Sequence, residues 1–154
     1  MVLRSFRLTR KRVLLVVILL AAVSPLIYYL ASPLFISRAV NEPTPTANTV
    51  TLATGMFTGA DSFHRASGTA RVLQLSDGSK ILRLEGFTAT NGPDLFVYLS
   101  TDETARDHVN LGELKGNLGD QNYIIPDEAV SARHRFVLIW CRAFSVLFGS
   151  AELG

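Results

Sequence analysis

The distribution of hydrophobic and polar positions divides the chain into two unequal parts. Near the N-terminus, residues 13–37 form a stretch of 25 residues without a charge, VLLVVILLAAVSPLIYYLASPLFIS. At about 1.5 Å rise per residue, a helix of this length spans roughly 37 Å, which exceeds a hydrocarbon core of about 30 Å. The stretch therefore predicts one transmembrane signal-anchor helix, preceded by a basic tail over residues 1–12.

From residue 51 to residue 154 the pattern changes to short apolar runs separated by Gly, Pro, Asn and Asp. The clearest unit is TARVLQLSDGSKILRLEGF, in which Asp77 and Gly78 predict a two-residue hairpin turn. That turn would pair Leu73 with Leu82 on an apolar face that Leu75 and Leu84 share. About seven to nine such strands with frequent turns favour an all-β domain, a sandwich or a barrel.

Three polar segments add detail to this division. Residues 38–50 contain Pro43 and Pro45 and predict an extended linker that holds the domain off the bilayer. Pro93 cannot donate a ladder hydrogen bond, so a strand is expected to begin at about Leu95. Residues 126–132 predict a single helical turn.

The charges are distributed unevenly between the two parts. Residues 1–41 hold six Lys and Arg and no acid, whereas residues 42–154 hold nine Lys and Arg against 13 Asp and Glu. The positive-inside rule then places the N-terminus in the cytoplasm and the C-terminal domain outside, periplasmic or extracellular. The apolar core is longer than the about 7 to 15 residues of a cleaved signal peptide, which favours an uncleaved anchor. No basic stripe remains on the domain, so nucleic acid is not an expected partner.

The chain contains residue types that form common enzyme and metal sites, but the spacing of these residues in the sequence does not fit such sites. Zinc sites use close pairs of Cys and His, and blue copper commonly takes a His beyond its Cys, whereas no His follows Cys141. Asp61, Ser62 and His64 lie too close together for a catalytic triad, and no nucleophile elbow or phosphate-binding glycine pattern occurs. The sequence therefore favours a protein that is not a stand-alone enzyme.

The single cysteine, Cys141, lies in the apolar segment FVLIWCRAFSVLFG. If residues 136–145 form one regular strand, Cys141 shares a face with Val137 and Ile139, and Trp140 points the other way. Both faces are apolar, as in a central strand that is covered on both sides. Core packing, a reactive thiol, a cofactor ligand and an intermolecular disulfide all remain open for Cys141.

The outer domain resembles the DM-thirteen family, which occurs in Skeletor-type proteins and in membrane-anchored microbial proteins. The resemblance covers about Gly55 to Leu153, and the positions that carry it are Gly55, Phe57, His64, Ser67, Gly68, Phe87, Gly92, Pro93, Asp94, Gly116, Gly119, Asp120, Tyr123, Pro126, Trp140 and Cys141. It implies a β-sandwich related to DOMON domains and electron transfer through a redox cofactor such as haem. The characteristic cysteine of the family corresponds to Cys141.

The resemblance also defines a candidate cofactor site. Cys141 is the candidate thiolate ligand of haem iron, and Trp140, Phe144 and Phe148 are candidate pocket walls. His64 and Asp94 are further, weaker candidates, because a loop histidine and a turn-capping carboxylate are the favoured explanations of these two residues. The expected partners are the bilayer, through residues 13–37, and a redox protein. The alternative is a cofactor-free interaction or adhesion module in which Cys141 fills the core.

Overall fold

The computed structural model describes residues 9–45, 49–129 and 133–154. The predicted basic tail up to residue 8, the linker residues 46–48 and the end of the predicted helical turn, 130–132, lie outside the described residues. Within them the elements are α1 (Arg10–Phe35), β1 (Val50–Met56), β2 (Thr58–Gly59), β3 (Ala66–Gln74), β4 (Lys80–Ala89), β5 (Leu95–Ser100), β6 (His108–Glu113), β7 (Leu118–Ile125), a 3₁₀ turn (Asp127–Ala129), β8 (Phe136–Cys141) and β9 (Val146–Glu152).

Helix α1 forms where the uncharged stretch predicts a helix, although its bounds differ by two or three residues at each end. It begins at Arg10 and ends at Phe35, a length of 26 residues. The helical conformation is therefore as expected. Among the described residues, however, no helix has both the length and the apolar character needed to cross a membrane.

The nine strands form two antiparallel sheets that pack face to face. One sheet has the strand order β1-β3-β4-β7, and the other has the order β2-β9-β8-β5-β6. The core between them is apolar, with Leu82, Leu84 and Phe87 from the first sheet and Val97 and Ile139 from the second among its fully buried side chains. The all-β sandwich and the number of strands agree with the sequence prediction, and β5 begins at Leu95 as expected.

The β3–β4 hairpin has a longer loop than predicted. Leu75 N donates to Ser79 O over 2.8 Å, and Gly78 takes the left-handed φ of 87°. This is a three-residue loop closed by a glycine, and it shifts the pairing by one residue. Leu82 therefore pairs with Val72 on the core face, and the predicted pair of Leu82 with Leu73 is wrong.

The first part of the predicted linker is extended, but it lies against the domain. We call residues 38–43 the strap. Val40 N donates to Leu118 O over 2.9 Å and Glu42 N donates to Asp120 O over 2.9 Å, so the strap runs parallel to β7. A Cβ at Gly119 would lie 2.2 Å from Val40 O, which makes glycine necessary for this approach. The strap therefore extends the first sheet and is not a free spacer.

The strand register defines two ends of the sandwich. At the end where α1 meets the domain, which we call the near end, Thr88 pairs with Leu118 and Leu95 pairs with Cys141. The connection 90–94 joins the two sheets there. At the opposite far end lie the β3–β4 loop and the pair of Ser100 with Phe136. Cys141 thus lies at the same end of the domain as helix α1.

Candidate functional site

Cys141 is the last residue of β8 and is almost completely buried. Its exposed fraction is 1%, and it packs in the main core on the same face as Val137 and Ile139, as predicted. One regular strand over 136–145 does not form, because the chain turns through 142–145 into β9, with Ser145 at a left-handed φ of 53°. Because of this turn, the residues that come after Cys141 in the chain fold back beside it at the end of the sheet.

An apolar cleft of about 280 Å³ opens at the near end next to Cys141. We call it the thiol cleft. Its lining side chains come from the loop before β3, from the end of β8, from the β8–β9 turn and from β9, and they include Phe63, His64, Cys141, Phe144, Val146 and Phe148. The tertiary structure therefore brings the loop before β3 next to the β8–β9 segment, although the two lie far apart in the sequence.

His64 is held at the cleft by a carboxylate. Asp61 Oδ2 lies 2.7 Å from His64 Nδ1, while Asp61 Oδ1 accepts hydrogen bonds from the backbone N–H groups of Phe63 and His64, each over 2.7 Å. The His64 side chain, followed by these backbone donors, lowers the pKa of Asp61 to about 2. Since Nδ1 is engaged, Nε2 is the ring nitrogen that can bind a ligand, as in carboxylate–histidine metal sites.

Two of the predicted site residues do not line the cleft. Trp140 lies on the other face of the sheet, where its ring stacks on Tyr98 with centroids 6.5 Å apart. Asp94 accepts hydrogen bonds from the Arg142 side chain over 3.1 and 3.3 Å, and it lines a neighbouring pocket. Both side chains are therefore separated from the thiol, Trp140 because neighbouring residues of a strand alternate between its faces.

The cleft also contains residues that sequence reasoning missed. Phe63 is one of them, and its only signal was its position next to His64. Gly92 and Pro93 line the same cleft, and a Cβ at Gly92 would lie 2.8 Å from the Leu95 side chain and 2.9 Å from that of Phe148. Any larger residue at position 92 would therefore collide with a cleft wall.

The donors at the cleft suit haem iron better than a bare metal ion. In the part of the chain that the structure describes, no group of three or more His, Cys, Asp or Glu side chains is arranged to hold a metal. Haem iron needs only axial ligands from the protein, and thiolate and imidazole both serve in that role. Ligand pockets typically measure about 300 to 1,000 Å³, so the thiol cleft would cover only part of a macrocycle.

Comparison with known proteins identifies the family of the chain. A family model described as Electron transfer DM13 matches residues 57–153, a range that includes both sheets except β1 and all of the cleft residues. No curated protein and no solved structure matches the chain. The match covers more than half of the chain, which therefore belongs to the electron transfer DM13 family.

Proposed function

We propose that this protein is a membrane-anchored, extracytoplasmic electron-transfer domain whose redox cofactor is held at the thiol cleft. The observation that carries the proposal is the meeting of Cys141 and His64 at one apolar cleft. Because the family is described as electron transfer, a cleft with two soft or borderline ligands is the natural place for its redox chemistry. A separate redox protein would be the exchange partner.

Haem is the cofactor class that these residues suit best. When bound, it would supply one-electron chemistry at its iron. Cys141 would hold the iron, and Asp61 would orient His64 as a second candidate ligand. Phe144 and Phe148 would exclude water from the ligand side of the macrocycle, which influences the reduction potential. The relation to DOMON domains remains a prediction.

The length of helix α1 and the exposure of its apolar side chains support the proposed membrane anchor. At about 1.5 Å per residue, its 26 residues extend about 39 Å. Every residue from Val13 to Leu20 is apolar and exposed, so this part of the helix does not pack on the domain. A helical segment that is apolar on all sides, as residues 13–20 are, belongs in a core or in lipid. The basic N-terminal flank orients such an anchor with the domain outside.

A haem titration of the full chain in detergent, under reducing conditions, tests this function. We expect a saturable Soret shift in the wild type that is at least tenfold weaker in Cys141→Ala. Trp140→Phe is the matched control, because Trp140 lies on the other face of the same strand. His64→Ala shows whether the imidazole is a second ligand.

Identical titrations of the wild type and Cys141→Ala would contradict Cys141 ligation. The absence of binding in all variants would favour the alternative function, a cofactor-free interaction or adhesion module. The near-complete burial of Cys141 among core side chains is the observation that favours this alternative. Circular dichroism of each variant establishes that the fold is retained.

A further inference from the structure

We propose that the rim of the thiol cleft, formed by Phe63 and Phe144, contacts the lipid surface of the membrane, so that Cys141 is approached from the membrane side. This inference rests on the proposed anchor through α1. It does not depend on the identity of the cofactor.

The two rim residues are large apolar side chains that the domain leaves exposed. Phe63 is 81% exposed and Phe144 is 69% exposed, and both line the thiol cleft. They lie on separate loops, one before β3 and one between β8 and β9. Exposed aromatic residues grouped at one site mark an interaction surface, and aromatic rings are favoured at the membrane interface.

The strap holds this end of the domain close to the end of helix α1. The helix ends at Phe35, and Arg38 N already donates to Asn117 Oδ1 over 2.7 Å. Three successive Cα–Cα steps of about 3.8 Å separate Phe35 from Arg38, which limits their distance to about 11 Å. With α1 as the proposed anchor, the near end has no room to move far from the membrane.

A second pocket connects the helix end with the cleft. This pocket of about 630 Å³ is lined by Ile36 and Arg38 on one side and by Asn91, Gly92 and Pro93 on the other. The last three residues also line the thiol cleft. The surface from the end of α1 to the cleft is therefore continuous.

The near end presents exposed arginines that could contact anionic headgroups. Arg38 and Arg65 are exposed there, and Arg142, two residues before the rim residue Phe144 in the chain, is exposed as well. Arg142 is paired with Asp94, Asp61 lines a pocket together with Arg65, and Glu113 lines the second pocket, so positive and negative charges are balanced at this end. A basic residue near an anionic membrane surface contributes about 1 kcal/mol. The short connection between Phe35 and Arg38 therefore favours a lipid surface over a folded protein as the partner of this end.

Fluorescence quenching in vesicles tests the proposal. The full chain, in a Trp140→Phe background, carries a single tryptophan through Phe63→Trp, Phe144→Trp or Ile124→Trp. Each variant is reconstituted in phosphatidylcholine–phosphatidylglycerol vesicles with or without brominated acyl chains. Ile124 is the matched control, because it is apolar, 77% exposed and paired with Ile81. Ile81 is seven residues from Thr88 at the near end, or about 23 Å along β4.

We expect brominated lipid to reduce the emission of Phe63→Trp and Phe144→Trp at least twofold and to leave that of Ile124→Trp unchanged. Quenching of Phe63→Trp and Phe144→Trp that does not exceed that of Ile124→Trp would overturn the proposal, because the rim would then lie no closer to lipid than the control site. Flotation of the same vesicles tests separately whether the chain is anchored to the membrane. A chain that does not float overturns both the anchor and the rim contact, whereas a floating chain without selective quenching overturns the rim contact alone.

Discussion

At the residue scale, Cys141 is both a core side chain and part of a cleft wall. Its 1% exposure leaves no room for a second chain to form a disulfide with it, since bridged Cα atoms lie within about 7 Å. The chain is therefore expected to run as a monomer on a non-reducing gel, and a band at twice the mass would contradict this placement. The covalent dimer is accordingly the least favoured of the possibilities that the sequence left open.

Removing the rim side chain Phe144 should make the thiol more reactive. Phe144 and Cys141 line the same cleft, so Phe144→Ala widens the access of small reagents to the sulfur. We expect maleimide to label Cys141 several-fold faster in Phe144→Ala than in the wild type. Ile124→Ala, at an equally exposed apolar site near the far end, should leave the rate unchanged. A wild-type rate in Phe144→Ala would show that the cleft does not control access.

Arg83 is a buried cation that connects the strap to the sheet. Its exposed fraction is 2%, and its guanidinium donates to Glu85, Asp120, Asn122 and the backbone oxygen of Glu42. An ammonium group cannot reach four acceptors in this planar arrangement. We expect Arg83→Lys to lower the free energy of unfolding by about 2 kcal/mol in urea denaturation. Arg71→Lys, at a more exposed ion pair, should cost less than about 1 kcal/mol.

At the element scale, the strap depends on the backbone of Gly119. Its φ of 94° and the nearness of Val40 O both oppose a side chain. We expect Gly119→Ala to release the strap, which amide hydrogen exchange would detect as a loss of protection at Val40 and Glu42. Gly112→Ala is the matched control, because Gly112 has a φ of 122° but no neighbour that a Cβ would meet. Retained protection in Gly119→Ala would contradict the steric argument.

Glu42 makes the docking of the strap dependent on pH. Burial raises its pKa, but hydrogen bonds from Lys115 and from Asn122 N outweigh burial and lower the pKa below its usual value. A carboxylate with a lowered pKa in the folded state stabilises the fold above its unfolded pKa of about 4.3 and loses that contribution as the pH falls.

Glu42→Gln should therefore destabilise the protein by about 1 kcal/mol at pH 7 and by less below about pH 4. Urea denaturation of the two chains at both pH values measures the difference. Lys80→Gln, on a lysine for which the structure shows no salt bridge within its described residues, controls for the loss of a surface charge. An energy difference that does not change with pH would show that Glu42 does not titrate as proposed.

At the scale of the whole molecule, the short connection between α1 and the strap should determine how the domain lies on the membrane. Insertion of 12 Gly and Ser residues between Phe35 and Ile36 leaves the strap intact and adds a flexible spacer of about 19 Å. We expect the insertion to preserve the thermal stability of the domain and to abolish the lipid quenching of Phe144→Trp. Quenching that survives the insertion would show that the rim binds lipid without help from the helix.

Local patterns in the sequence predicted much of the architecture. They did not predict all of the residues that form the thiol cleft. Alternation along 136–141 correctly placed Cys141 and Trp140 on opposite faces, because side-chain direction in a strand has a period of two. The same reasoning misplaced Leu73, since a left-handed Gly78 lengthened the loop by one residue. It also gave no reason to place Phe63 beside Phe144.

The helix, the sandwich and the family were already apparent in the chain, because hydrophobic periodicity, turn residues and motif positions are local properties of a sequence. The thiol cleft, the docked strap and the common end of the domain for α1 and Cys141 depend on which strands become neighbours. Such pairings join residues that lie far apart in the chain, as Arg38 with Asn117 and His64 with Phe148 do. They are selected by the packing of the whole core, and no local pattern encodes them.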